Sequence, residues 1–293
     1  MANSLKNKFK YSALAALIVT LLSCTVMAFA GLGFGAPVET ATAETGVSAQ
    51  SNATLAAAWN RAVQESIDGN GKQVTFTLTE NWTAAASDAG FGTGVGFGDV
   101  GYLLVPAGAN IVMDLNGRTL NRNNYNTMNG YSIRVEGNLT ITSATKSNAG
   151  TITGSSGGYG GAVLVFGGNL TLDYGTISGN NGIGNNGGGV YVYGGTFTMN
   201  GGVISDNVYS NLGGGVYVVG SSTFTMNGGE ISGNTAHQHG GGVYVDLGTF
   251  IMNDGTISGN VSGDSGLYDG GGVYVYSNGT FEMNGGKISG NTA

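Results

Sequence analysis

From Gly187 to Ala293 the chain states one phrase four times: GGGVYV, a short turn, TF(T/I/E)MN(G/D)G, IS(G/D)N, and a variable piece. Val190, Val216, Val243 and Val273 open successive units 26, 27 and 30 residues apart. Within a unit the aromatic residue (Phe197, Phe224, Phe250, Phe281) precedes the isoleucine (Ile204, Ile231, Ile257, Ile288) by seven residues every time. An asparagine (Asn207, Asn234, Asn260, Asn291) follows three residues later, again every time. From that asparagine to the next opener the gap is 9, 9 and 13, so length variation collects in one connection, where a loop tolerates it. A unit this short cannot bury an apolar face alone, so the units must stack on one another.

Inside each unit the period is two. Val190 and Val192 alternate with Tyr191 and Tyr193, and Phe197 and Met199 alternate with Thr196 and Thr198. That is the strand pattern, with β-branched and aromatic residues broken by glycine. Three runs per unit give three short strands, each paired with its equivalent in the next unit. The predicted fold is all-β, a right-handed parallel β-helix solenoid. A propeller needs blades of about 40 residues, longer than these units, and an antiparallel sandwich would not keep so strict a repeat. The ladder extends upstream in degenerate form, because Leu103, Ile133 and Val163 continue the series of openers. Seven openers mean about seven three-strand coils over 103–293, a rod roughly 30 to 35 Å long at about 4.8 Å per strand. The 57 glycines fall at repeated corners and read as turn chemistry.

Upstream of the coils three segments differ in composition. Residues 1–30 read as a secretory signal peptide: Lys6, Lys8 and Lys10 precede the apolar run Ala13 to Leu22, and Ala28-Phe29-Ala30 supplies a small-residue cleavage site. A second cleavage site follows Ala43. Leu21-Leu22-Ser23-Cys24 also fits a lipoprotein box, but the residues after Cys24 stay apolar, so ordinary cleavage is preferred over lipid anchoring. With one cysteine the chain makes no internal disulfide, and no transmembrane segment follows the signal. Residues 31–51 read as a linker. Residues 52–102 read as an N-terminal cap: Leu55, Trp59, Val63 and Ile67 suit an amphipathic helix started by Ser51, Asn52 or Thr54, and Val74, Phe76 and Leu78 alternate as a strand. The GTGVGFG run within Gly90–Gly101 lacks the Lys-Ser/Thr of a phosphate loop.

Charge narrows the partners. Without residues 1–30 the chain holds seven Lys and Arg against seventeen Asp and Glu, a net charge of −10, which disfavours nucleic acid and anionic membranes. No cofactor is implied.

The GGGVYV and GTFTMNGG-ISGNTA units resemble those of bacterial cell-surface proteins with right-handed parallel β-helix repeats, and more loosely the repeats of adhesins. The resemblance covers about Leu103 to Ala293, with Thr54 to Thr83 similar to the cap of that group. It implies a secreted or surface-attached, adhesin-like stalk or glycan-contacting module, with host or environmental glycans or surface proteins as partners and further coils beyond Ala293. Pectate-lyase-like β-helices also act as polysaccharide lyases and glycoside hydrolases, which is the enzymatic alternative. Those sites need clustered acids with a base. Here Asp173, Asp206, Glu230, Asp246, Asp254 and Glu282 occupy non-equivalent positions, and no catalytic or metal site is assigned. A pure spacer is the third reading.

The candidate ligand-contacting residues are the outward tyrosines Tyr191, Tyr217, Tyr244 and Tyr274, expected to stack into an exposed stripe, with Tyr209, His237, His239 and Tyr268 in the variable loops. His237 and His239 form an H-x-H pair without an evident third ligand, and Asp264 and Asp269 bracket another loop without a calcium motif. The asparagines Asn207, Asn234, Asn260 and Asn291 are assigned a structural ladder whose amides bond adjacent coils.

Overall fold

The structure is a computed structural model that describes residues 45–47, 52–84, 102–123, 130–144, 148–156, 160–182, 187–209, 211–263 and 269–293. Met1–Ala41 and Thr42–Ala293 are separate units; the signal peptide, Cys24 and the GTGVGFG run lie outside the described residues.

Thr42–Ala293 is a right-handed parallel β-helix of about six turns. One coil shows the plan. Strands Val190–Tyr193, Thr196–Met199 and Val203–Ser205 follow one another around the axis, and each pairs in parallel with its equivalents in the coils before and after. The first sheet stacks seven strands, one for each opener from Leu103 to Val273. Seven stacked openers enclose six full turns.

The three-strand expectation omits one element. After each asparagine a two-residue strand forms a fourth, four-stranded sheet: Asn181–Gly182, Val208–Tyr209, Thr235–Ala236 and Val261–Ser262. Length variation therefore begins after this strand. Two residues are too few to show a period in sequence, which is why the strand goes unseen there.

Burial in the stack comes from neighbours. Val216, Val218, Phe224, Met226 and Ile231 are wholly buried, as are Val243, Val245, Phe250, Met252 and Ile257. The last coil repeats the same five residue types, yet Val275 is 40% and Met283 47% exposed, because no described coil lies beyond them. The phenylalanines stack inside the rod with centroids 4.7, 4.6 and 4.9 Å apart from Phe197 through Phe224 and Phe250 to Phe281. This stacking fixes the constant seven-residue spacing, since an insertion would lift one ring or one isoleucine out of its column.

The asparagine ladder sits at the turn after the third strand. Asn207 donates from Nδ2 to Oδ1 of Asn234 at 2.9 Å and from its backbone N–H to the same atom at 3.1 Å. Its other Nδ2 hydrogen goes back one coil to the carbonyl of Ile177 at 3.0 Å. Asn234 and Asn260 repeat the pattern, and the ladder ends on Asn291. Asn180 adds an earlier rung, bonded to Asn207 at 2.8 Å. Buried amides must be satisfied, and these are. The turn needs a left-handed residue just before the asparagine: Gly233, Gly259 and Gly290 have φ near +64°, and Asp206 takes the same place at +54°. Aspartate tolerates that region better than most residues, which accounts for IS(G/D)N.

A second, exposed ladder runs through the MN(G/D)G corners. Asn284, Asn253 and Asn227 each donate from Nδ2 to the preceding asparagine's Oδ1, and Asn200 ends on Asp173, at 2.8 to 3.0 Å.

The N-terminal cap forms as expected, with two adjustments. Helix α1 (Asn52–Asp68) buries Leu55, Ala58, Trp59 and Ala62, and Trp59 Nε1 donates to the carbonyl of Leu104 at 2.8 Å while its ring meets Phe76 edge-on at 5.1 Å. Ile67, expected on this face, is 41% exposed, and Ser66 is buried in its place. Four-residue steps drift by 40° each on a helix of 3.6 residues per turn, so the fourth position has left the face. Strand β2 (Gln73–Leu78) turns Val74, Phe76 and Leu78 inward and pairs with Asn110–Asp114. The expected linker contains a strand of its own: β1 (Thr45–Val47) pairs with β2 and begins the second sheet. Among the described residues no helix is long and apolar enough to cross a membrane.

Candidate functional site

The outer face of the first sheet carries most of the candidate residues. Alternation turns Tyr191, Tyr217, Tyr244 and Tyr274 away from the core in one register column; Tyr191 stacks on Tyr217 and Tyr244 on Tyr274, with centroids 5.1 and 5.4 Å apart, whereas Tyr217 meets Tyr244 edge-on at 5.1 Å. The exposed stripe, however, is corrected. Tyr217 and Tyr244 are each only 4% exposed, and Tyr191 and Tyr274 are half-buried.

The cause is the GGG corner. Its first glycine has positive φ, and a Cβ there would lie 2.9 Å from the Cβ of Tyr217 at Gly213 and 2.7 Å from that of Tyr244 at Gly240. The next glycines lie under the carbonyls of the following coil, with a Cβ at Gly214 meeting Gly241 O at 2.6 Å. A corner without side chains lets the coils approach and the phenol rings pack down over it.

The tyrosine hydroxyls gather around Asp246. Tyr217 donates its hydroxyl hydrogen to that carboxylate, which also acts electrostatically on Tyr191 and Tyr244. Burial, then the neighbouring phenols and Asp246, pushes Tyr191 and Tyr244 up to about 12. Tyr217 is raised further by the same causes. These phenols hold their protons throughout the neutral range and serve as hydrogen-bond donors.

The exposed aromatic surface is the next outward column, which the sequence reading passed over. It runs Glu136, Phe166, Tyr193, Val219, Asp246, Tyr276. Phe166, Tyr193 and Tyr276 are 42%, 49% and 53% exposed. Phe166 and Tyr193 stack at 5.4 Å and 13°, and the guanidinium of Arg134 lies 4.3 Å over the other face of Phe166 while pairing with Glu136. The second tyrosine of VYVY in the units of Val190 and Val273 is the sequence signal that marks this column.

The loop candidates do not converge. Tyr209 is wholly buried in the fourth sheet, its ring filling the space over Gly182, where a Cβ would sit 1.4 Å from Tyr209 Cε2. That removes it as a ligand contact. His237 is exposed, whereas His239 stacks on Tyr274 at 4.5 Å and accepts the Asp269 N–H at Nδ1, 3.1 Å away, so the H-x-H pair does not act as one site. Tyr268 and Asp264 lie outside the described residues. Asp173, Asp206, Glu230, Asp246, Asp254 and Glu282 stand on different sheets and corners, and among the described residues no three metal-ligating side chains gather.

Comparison of the chain with protein-family models, with curated proteins and with solved structures finds no match in any of the three.

Proposed function

We propose that the protein is an exported, non-enzymatic surface protein, an adhesin-like β-helix whose first sheet contacts glycans. The carrying observation is the outward column in which exposed Tyr193 and Tyr276 flank Asp246, itself hydrogen-bonded to Tyr217. Exposed rings beside a fixed polar group suit ligands with an apolar face and a hydroxyl rim. The rod supports Tyr193 and Asp246 with a paired strand on each side, and Tyr276 through its pairing with the strand of Asp246. The basic, then apolar, N-terminus with its small-residue cleavage site supports export.

Binding of the full chain to a panel of host and plant glycans tests this, beside a Tyr193→Ala/Tyr276→Ala variant whose melting is unchanged. Saturable binding that the variant loses is expected. A folded protein that binds no glycan refutes the contact role and leaves a spacer; release of products from an acidic polysaccharide refutes the non-enzymatic reading.

A further inference from the structure

The geometry points to a neutral hexose chain, lying along the rod in the notch between Tyr193 and Tyr276, as the ligand of this face; the inference rests on the glycan-contact reading above. Register places the two tyrosines three strand steps apart, about 14 Å at roughly 4.8 Å per step. Between them lie Val219 and Asp246, one strand each. Leu247, at the turn after Asp246 and bridged to Val219, is 52% exposed and extends the apolar floor.

Ring orientation restricts how a ligand can stack. Phe166 and Tyr193 pack face to face, and the far side of Phe166 is covered by Arg134, so the pair is closed toward the N-terminal coils. The face of Tyr193 that looks toward Val219 has no aromatic neighbour in its column. A pyranose set there meets a negative ring face with its C–H bonds, an apolar floor, and an acceptor carboxylate for its hydroxyls.

Charge selects among sugars. Asp246 is the charged group in the notch; Arg134 and Glu136 neutralise each other two strands before Tyr193. A glycan carboxylate or sulfate would lie against Asp246 in a chain already strongly acidic, and like charges at this range repel. An amine-bearing sugar gains little, because an ion pair at an exposed surface adds little over a hydrogen bond. Hydroxyls suit a carboxylate that already accepts from Tyr217.

The test is titration calorimetry of the full chain with three hexamers: cellohexaose, hexaglucosamine and hexagalacturonate. The expected result is saturable binding of the neutral hexamer, with the acidic one at least about tenfold weaker, equivalent to about 1.4 kcal/mol. Tyr193→Ala and Tyr276→Ala should each weaken the neutral ligand, Tyr193→Phe should restore it, and Asp246→Asn should narrow the discrimination against the acid. Acidic binding as tight as neutral, lost in the same variants, overturns the ligand class and leaves the glycan reading standing. Amine-bearing hexamer preferred by more than about tenfold, and lost in Asp246→Asn, does the same. No binding of any hexamer or of any glycan in the wider panel overturns both.

Discussion

Replacing Asn234 by alanine removes four hydrogen bonds from a residue that is wholly buried. Its Oδ1 accepts from the backbone N–H and Nδ2 of Asn207 at 3.1 and 2.9 Å, and its Nδ2 donates to Ile204 O and to Asn260 Oδ1, both at 2.9 Å. Two of the partners can be followed. Asn260 Oδ1 keeps the backbone N–H of residue 234 at 3.0 Å, so it stays satisfied. Asn207 loses its acceptor for both a backbone and a side-chain hydrogen, and each orphaned buried donor costs about 1–3 kcal/mol. The expected loss is about 2–6 kcal/mol, read from urea denaturation followed by far-ultraviolet circular dichroism. Asn227→Ala is the matched control: that rung also bridges two coils, at 2.9 Å, but it is exposed, and water can replace it. Its expected loss is under about 1 kcal/mol. Equal, small losses from the two variants would refute the assignment of the buried ladder as a structural element.

Phe224→Ala, which empties a place between rings 4.7 and 4.6 Å away, should cost about 3–5 kcal/mol by the same assay, whereas Phe281→Ala in the partly exposed last coil should cost distinctly less. Phenolate absorbance followed against pH should show a late group near 12 from Tyr191, Tyr244 and Tyr131, which burial raises above the ordinary phenol range. Because folding raises these pKa values, their contribution to stability is complete below about pH 10 and is lost as pH rises through about 12, so the denaturation midpoint should fall across that window. A single titration step near 10 with the protein still folded would contradict the packing of the tyrosine column.

Much of the fold is legible in the sequence because a solenoid writes each structural constraint several times. The constant seven between Phe224 and Ile231 and the constant three to Asn234 already imply stacked columns, and the columns are there. What escapes the sequence has physical causes. The Val208–Tyr209 strand is too short to show alternation, and Tyr209 is buried because Gly182 leaves it room, a relation 27 residues apart. Alternation correctly turns Tyr217 and Tyr244 outward but does not say that a glycine corner lets the rings lie down and close over it. The proposed contact surface therefore shifts one outward position, to Tyr193, Asp246 and Tyr276.

Deleting one whole coil tests whether stacked, equivalent coils hold the chain together. Removing residues 216–242, 27 residues, joins Gly215 to Val243 and sets Phe197 against Phe250 and Asn207 against Asn260, so every column closes again. Removing residues 216–229, about half as many, places a third-sheet strand where a first-sheet strand belongs. The whole-coil deletion is expected to keep a β-rich circular dichroism spectrum and a cooperative melt, and the half-coil deletion to lose both. Unfolding of the two deletions to the same extent would contradict the claim that identical, neighbour-buried coils hold this chain together.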